Sequence, residues 1–250
     1  MTPDRLHDVA AVGFGRSAAA YERGRPGYPA AAVRWLAERL GLGPGAVVVD
    51  VAAGTGKLSR ALAATGSDVV AIEPVDGMRS EIGSGVRALD GVAEALPLAE
   101  RSADAITVGQ AFHWFDGDAA LREFHRVLRP GGSLALVWNL RPLREPIHAA
   151  VEEILAPYRG DAPSHRAGFW REAFERTTLF GPLEERTFPN EQHLDADGLA
   201  DRVGSTSFIA ARPSKERERV HARVRALVPS GTVRVPYVTA VEVTDRLAEP

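Results

Sequence analysis

The sequence predicts an α/β fold built on a doubly wound, mostly parallel seven-stranded sheet. Three observations predict it. Short β-branched apolar runs alternate with helical segments of about ten residues, the pattern of right-handed βαβ units. The first of these runs is entered and left through glycine turns. The alternation stops at Asn139, so the parallel part of the sheet falls in the first part of the chain.

Ala30 to Leu40 sets Val33, Leu36 and Leu40 on one helical face, with Pro29 suited to the first turn and Gly41 to the stop. Ala46 to Val51 follows the turn signal Gly43-Pro44-Gly45. It is too short for a helix and apolar on both faces, so it reads as a buried parallel strand. Lys57 to Ala64 is helical, Asp68 to Ile72 a second strand, Asp76 to Ser84 a short helix and Val86 to Leu89 a weak strand. Ala103 to Val108 is a strand, Asp118 to Leu128 a helix, and Ser133 to Asn139 a strand behind the turn Arg129-Pro130-Gly131-Gly132. Beyond Asn139 come helical segments to Phe180, a strand at Leu183 to Phe188, and helices at Leu194 to Val203 and Lys215 to Leu227. Thr232 to Val243 alternates like a half-exposed strand, and Pro236 inside it predicts an edge or bulged one.

Composition excludes several function classes. The 250 residues are 45% hydrophobic and 25% charged, with 30 Lys plus Arg against 33 Asp plus Glu and a formal charge of −3. A chain without cationic excess has no global attraction to nucleic acid or anionic lipid. With no cysteine, disulfides, thiolate nucleophiles and Cys-ligated metals are excluded. Lys57 and Lys215 are the only lysines, so a Schiff base would need one of them. The polar N-terminus and the lack of a membrane-length apolar run predict a soluble, cytoplasmic protein. No His-x3-His pair or EF-hand pattern is present, so no metal site is expected.

The segment Val47 to Ser59 carries the chemistry: a strand, the turn Ala52-Ala53-Gly54-Thr55-Gly56, then a helix. Gly54 and Gly56 remove Cβ atoms where backbone turns sharply and approaches a ligand. The helix behind them presents unpaired N–H groups to that crevice. Glu73 ends the second strand, where an acid can take the two hydroxyls of a ribose. A P-loop does not fit, because Leu58 follows Gly56-Lys57 where Ser or Thr is required. A dinucleotide fingerprint fits poorly, with Ser59 at its third glycine position. A ligand bearing an ammonium group fits better, since the anion Asp50 stands beside the turn.

Four blocks occur in order: Val-Val-Asp-Val-Ala-Ala-Gly-Thr-Gly-Lys at 48–57, Val-Ala-Ile-Glu-Pro at 70–74, Gly-Val-Ala-Glu-Ala-Leu-Pro-Leu at 91–98, and Arg-Val-Leu-Arg-Pro-Gly-Gly-Ser-Leu at 126–134. On these the chain resembles the class I S-adenosylmethionine-dependent methyltransferases, in their type 11 small-molecule branch. Gly109-Gln110-Ala111-Phe112-His113-Trp114-Phe115 is similar to trans-aconitate-type members. The resemblance implies a Rossmann-like fold with residues 1–40 as an N-terminal helical cover and 41–140 as the cofactor-binding core. It further implies a helical lid at 141–182, inserted after strand five, and a part at 183–250 that completes the sheet of one compact domain.

The resemblance also implies site residues. Asp50, Gly54 and Gly56 would meet the methionine part of S-adenosylmethionine, Glu73 its ribose, and Pro74, Met78, Ala93 and Glu94 its adenine, with Ala52 and Gln110 also among the cofactor-binding residues. Val92 stands where many relatives carry Asp or Thr, which leaves the adenine amino group to backbone or to Glu94. Tyr21 and Arg25 would reach the cofactor carboxylate; anchoring of a loop by Arg25 and Tyr28 is the plainer alternative. His113, behind the fourth strand, is the candidate base, with capping of its own turn as the alternative. Trp114, His165 and Trp170 are candidate substrate contacts, or equally core aromatics. The expected function is methyl transfer to an O, N, C or carboxylate nucleophile of a small metabolite, releasing S-adenosylhomocysteine. The alternative is a non-methylating catalyst, such as a cyclase, that keeps the cofactor as a structural element.

Overall fold

The structure, a computed structural model, describes residues 22–160, 165 and 168–248. Helix α1 (Ala30–Leu40) ends on Gly41 at φ 63°, and strand β1 (Val47–Val51) follows. Then come α2 (Lys57–Ala63), β2 (Asp68–Ile72), α3 (Asp76–Arg79), β3 (Arg87–Leu89) and β4 (Ala103–Gly109). A 3₁₀ turn at Phe112–Trp114 leads to α4 (Gly117–Val127), whose first turn is capped by the Asp116 carboxylate accepting from Ala119 N–H at 3.1 Å. Next are β5 (Leu128–Leu140), α5 (Pro146–Leu155), α6 (Arg171–Arg176) and β6 (Glu184–Leu194). Finally α7 (Ala196–Gly204), α8 (Ser207–Ala210), α9 (Ser214–Arg225) and β7 (Val233–Asp245) complete the chain.

The seven strands form one sheet in the order β3-β2-β1-β4-β5-β7-β6. Strands β1 to β5 pair in parallel, while β7 runs antiparallel to both β5 and β6. The fold is therefore the Rossmann-like doubly wound sheet that the sequence predicts. The strand order reverses between β1 and β4, the place where such sheets bind ligands. Two apolar cores cover the two faces of the sheet, one around Ile106, Phe112, Phe124 and Trp138, the other around Leu36, Leu62, Ala71 and Ile82. A third core joins α5, α7, α8 and α9 through Ile154, Leu155, Leu199, Val203, Ile209 and Val224, and takes in Val235 and Tyr237 of β7. Helices α7 to α9 all lie between β6 and β7, and the flanking residues Leu194 and Val233 are direct partners in that ladder.

Three local expectations are corrected. Strand β7 is not an edge: it lies between β5 and β6, and Ala240 to Thr244 are buried. Pro236 is tolerated because β5 stops at Leu140, opposite Val238, so the proline has a neighbour only on the β6 side. The edge on this side of the sheet is β6, whose run Glu184-Glu185-Arg186-Thr187 is exposed and charged, as edge strands are. The expected turn at Arg129 to Gly132 is instead an irregular stretch inside β5, with Gly131 at φ 81° and a register shift opposite Ala103 to Ala105. Helix α3 ends at Arg79 rather than Ser84, and Gly83 at φ 89° breaks the helical conformation just beyond it.

Candidate active site

The carboxyl ends of β1 and β4 open into a cleft of about 510 Å3, counting its mouth. Asp50, Ala52, Ala53, Thr55, Lys57 and Leu58 line it from the glycine turn, Gly109 and Gln110 from β4, and Asn139 from β5. Arg25, Pro26 and Tyr28 line it from the segment before α1, and Arg202 from α7.

The turn is shaped by conformations that few side chains adopt. Gly54 and Gly56 sit at φ 59° and 81°, and a Cβ on Gly56 would stand 3.1 Å from Ile82 Cα. Ala52 and Gln110, which follow β1 and β4, are also left-handed at φ 53° and 64°. Strain of this kind costs about 1–3 kcal/mol per residue and gathers at functional sites. The backbone N–H of Gln110 donates to Val137 O at 2.9 Å, and its buried Nε2 finds no hydrogen-bond partner among the described residues.

Both acids are anchored. Asp50 is fully buried; Ser59 Oγ donates to its Oδ2 at 2.5 Å and Thr107 Oγ1 to its Oδ1 at 3.0 Å. Burial pushes its carboxyl up to about 6, against the pull of those two hydroxyls. Glu73 accepts from Gly54 N–H at 2.8 Å and from Val75 N–H at 2.9 Å. It thus ties the glycine turn to the end of β2, and burial raises it above the usual carboxylate range. Pro74, Met78, Ala93 and Glu94 follow the carboxyl ends of β2 and β3 but are not walls of this cleft. Met78 and Ala93 are buried, and the Glu94 carboxylate accepts from Asp116 N–H at 2.9 Å.

Residues 22–28 cross from one side of the cleft to the other. At one end the Glu22 carboxylate takes Thr55 Oγ1 at 2.5 Å, Arg60 Nη2 at 2.6 Å and Lys57 Nζ at 3.2 Å. At the other end Arg25 donates to Ser205 Oγ at 3.0 Å and to Ser205 O at 2.9 Å. Gly24 fits against the backbone of α7 so tightly that a Cβ would stand 2.5 Å from Arg202 N. Asn139 and Asn190 both donate to Gly27 O, at 3.2 and 2.9 Å. Tyr21 lies outside the described residues.

His113 sits on the 3₁₀ turn behind β4. Burial, with His165 and Arg25 adding repulsion, lowers its imidazole to about 4. Its Nδ1 finds no partner among the described residues. The ring faces Trp114 at 5.1 Å and Trp138 at 5.6 Å, centroid to centroid. Trp138 in turn faces His165 at 4.5 Å and Trp170 at 5.4 Å. The structure thus brings His113, Trp114, His165 and Trp170 into one aromatic cluster beside the cleft.

Sequence reasoning missed Asn139, Arg202, Trp138 and Glu242. Asn139 had a readable signal, its place at the carboxyl end of a parallel strand beside Gln110. Arg202, 8% exposed and donating to the Tyr237 hydroxyl at 3.2 Å, had none. Among the described residues no cluster of three or more His, Cys, Asp or Glu has the geometry to hold a metal, and no helix is long and apolar enough to cross a membrane.

Fold and cleft together define a doubly wound α/β protein with a candidate ligand site at the switch point of its sheet. Comparison with known proteins narrows that class. A family model described as "Methyltransferase domain" matches residues 49–136. An uncharacterised methyltransferase of Mycobacterium tuberculosis is 38% identical over 244 residues, covering 91% of this chain and 93% of its own. A methyltransferase-like protein of Schizosaccharomyces pombe is 35% identical over 216 residues, covering 84% of each. Among solved structures, one described as a type II methyltransferase from Anaeromyxobacter dehalogenans superposes with a TM-score of 0.65 at 24% identity, covering 89% of this chain and 97% of its own. The chain belongs to the class I S-adenosylmethionine-dependent methyltransferases.

Proposed function

We propose that this methyltransferase uses S-adenosylmethionine to methylate an O, N, C or carboxylate nucleophile of a small metabolite, with the cleft between β1 and β4 as the cofactor site. The observation that carries the reading is the chemistry of the walls. A glycine turn gives close backbone approach, Gln110 offers a buried amide donor in need of an acceptor, and Arg25, Lys57 and Arg202 supply cations suited to a carboxylate. Asp50, Ala52, Gly54, Gly56 and Gln110 would hold the amino-acid part, with Arg25 at its carboxylate. Glu73 would take the ribose, since each of its oxygens keeps a lone pair beyond its backbone bond. Pro74, Met78, Ala93 and Glu94 border the same sheet edge and would flank the adenine.

The cofactor, when bound, supplies a sulfonium leaving group and hence an activated methyl. The chain's own task is alignment, and orientation of reactants is worth about 7–11 kcal/mol in favourable cases. His113 stays neutral at physiological pH and, at about 4, is a weak base. Its role on this reading is to accept a hydrogen bond from the acceptor and to take a proton only from a group already acidified as the new bond forms. Trp114, His165 and Trp170 would wall the acceptor. Residues 22–28 would serve as the cover, and 141–182 as the element that shapes the acceptor side.

Calorimetry with S-adenosylhomocysteine tests the cofactor site, and no binding to the purified protein would end the reading. A mass-spectrometric screen with isotopically labelled methyl donor identifies the acceptor; turnover without gain of one methyl group would favour the non-methylating alternative.

A further inference from the structure

Glu242 lies in the middle of β7, 1% exposed, where apolar residues would pack as well. Its Oε2 accepts from the Trp138 indole N–H at 3.0 Å, and its Oε1 pairs with the Arg171 guanidinium. Glu185, its direct partner on β6, lies 3.4 Å from the same guanidinium. Glu242 is buried while its partner Arg171 is 42% exposed. Burying a carboxylate is costly and an apolar side chain at such a place is often neutral or stabilising, so this acid is poorly explained by stability alone. What this one does distinctively is fix two other groups. Arg171 lies 4.5 Å over the Trp170 ring, the Trp170 indole donates to His165 O at 3.2 Å, and the His165 ring returns to Trp138 at 4.5 Å. Glu242 therefore closes a circuit of five residues drawn from β5, β7, α6 and the segment before α6, and the circuit abuts His113 through Trp138.

We propose that Glu242, assisted by Glu185, is a positioning residue of the methyltransferase: through Trp138 and Arg171 it sets the wall of Trp138, His165 and Trp170 against His113 and excludes water from that imidazole. The proposal rests on the reading of His113 as part of the acceptor site. Burial raises the Glu242 carboxyl, opposed by Arg171 and reinforced by Glu185, as expected of an acid held away from solvent by its neighbours. An apolar residue at 242 would fill the space but would direct neither the indole nor the guanidinium.

Histidine-detected NMR on the full chain tests this with Glu242→Gln, which keeps an oxygen for the indole but loses the charge that holds Arg171. In the wild type His113 is expected to titrate at about 4, because burial disfavours its charged form. The variant is expected to move that midpoint by at least one pH unit toward the 6.5 of a solvated imidazole and to shift the Trp138 indole cross-peak. Arg171→Gln, at a side chain 42% exposed, tests the same circuit should Glu242→Gln fail to fold, and is expected to move His113 in the same direction. A variant of either kind that lowers the melting temperature yet leaves both the His113 midpoint and the indole peak in place overturns the proposal, since that is the signature of a purely structural pair. S-adenosylhomocysteine affinity is expected to stay within twofold in both variants; a wild type that does not bind it refutes the cofactor reading while leaving the NMR comparison intact.

Discussion

The two sides of the cleft are assembled in different ways. On the side proposed for the cofactor most contacts of the glycine turn are local: Asp50 to Ser59 spans 9 residues, Gly54 to Glu73 spans 19 and Val75 to Glu73 spans 2, with Asp50 to Thr107 reaching 57. On the side proposed for the acceptor the contacts join distant parts of the chain, Trp138 to Glu242 across 104 residues and Thr239 to Asn139 across 100. The Arg25 strap over the proposed cofactor carboxylate is likewise held from afar, by Ser205 across 180. The first side is one βαβ unit whose backbone geometry makes the site. The second exists only once β7 has inserted between β5 and β6. The proposed cofactor site thus draws mainly on one short stretch of chain, and the proposed acceptor site on the tertiary fold.

Substitutions can break this contrast. The largest effect is expected from Gly56→Val, which places a β-branched residue at φ 81° and a Cβ 3.1 Å from Ile82 Cα. Backbone strain plus overpacking predicts a loss of about 2–4 kcal/mol by urea unfolding. No measurable binding of S-adenosylhomocysteine should remain; near-normal affinity would show that the turn does not set the site.

On the acceptor side, His113 gives a pH signature. Its folded value of about 4 lies below the ordinary 6.5, so its contribution to stability is full above pH 6.5 and is lost as pH falls toward 4. The loss is on the order of 3 kcal/mol by pH 4. Asp50 and Glu242 act in the opposite sense, because their raised values favour the folded state as pH falls. Urea midpoints of His113→Gln and wild type at matched pH isolate the histidine: the gap between them should close or reverse between pH 6.5 and 4.

Glu73→Gln tests the local side more gently. A neutral amide has one oxygen for the two N–H groups of Gly54 and Val75, and a buried donor left unpaired costs about 1–3 kcal/mol. Weakening of S-adenosylhomocysteine by at least tenfold is expected from calorimetry. The smallest effect belongs to Ser205→Ala, which removes one acceptor of Arg25 and leaves the Ser205 carbonyl. A stability change of about 0.5–1.5 kcal/mol is expected, with cofactor affinity nearly unchanged. A tenfold loss of affinity would show that the long-range side also governs the cofactor.

The same contrast explains what was legible in the sequence. Periodicity and glycine turns place β1 to β5 and their helices, because each element buries a face determined by its own residues. The glycine turn and the acid Glu73 were readable for the same reason. The position of β7 was not: alternation marks a strand, but which strands flank it depends on where β5 ends relative to Pro236. Trp138 and Glu242 were invisible for a related cause. An alternating strand hides whether an inward acid meets solvent or the indole of a residue 104 positions away.

Helices α7 to α9 leave β6 at Leu194 and rejoin β7 at Val233, two residues that face each other in the ladder. The unit is a cassette whose two junctions are adjacent in the sheet. Lengthening a loop within it costs mainly loop-closure entropy, which grows only slowly with length, whereas replacing it also forfeits the third core. Because the cassette contributes Arg202 to the cleft and Ser205 beneath Arg25, a change within it reaches the cleft while the glycine turn stays untouched.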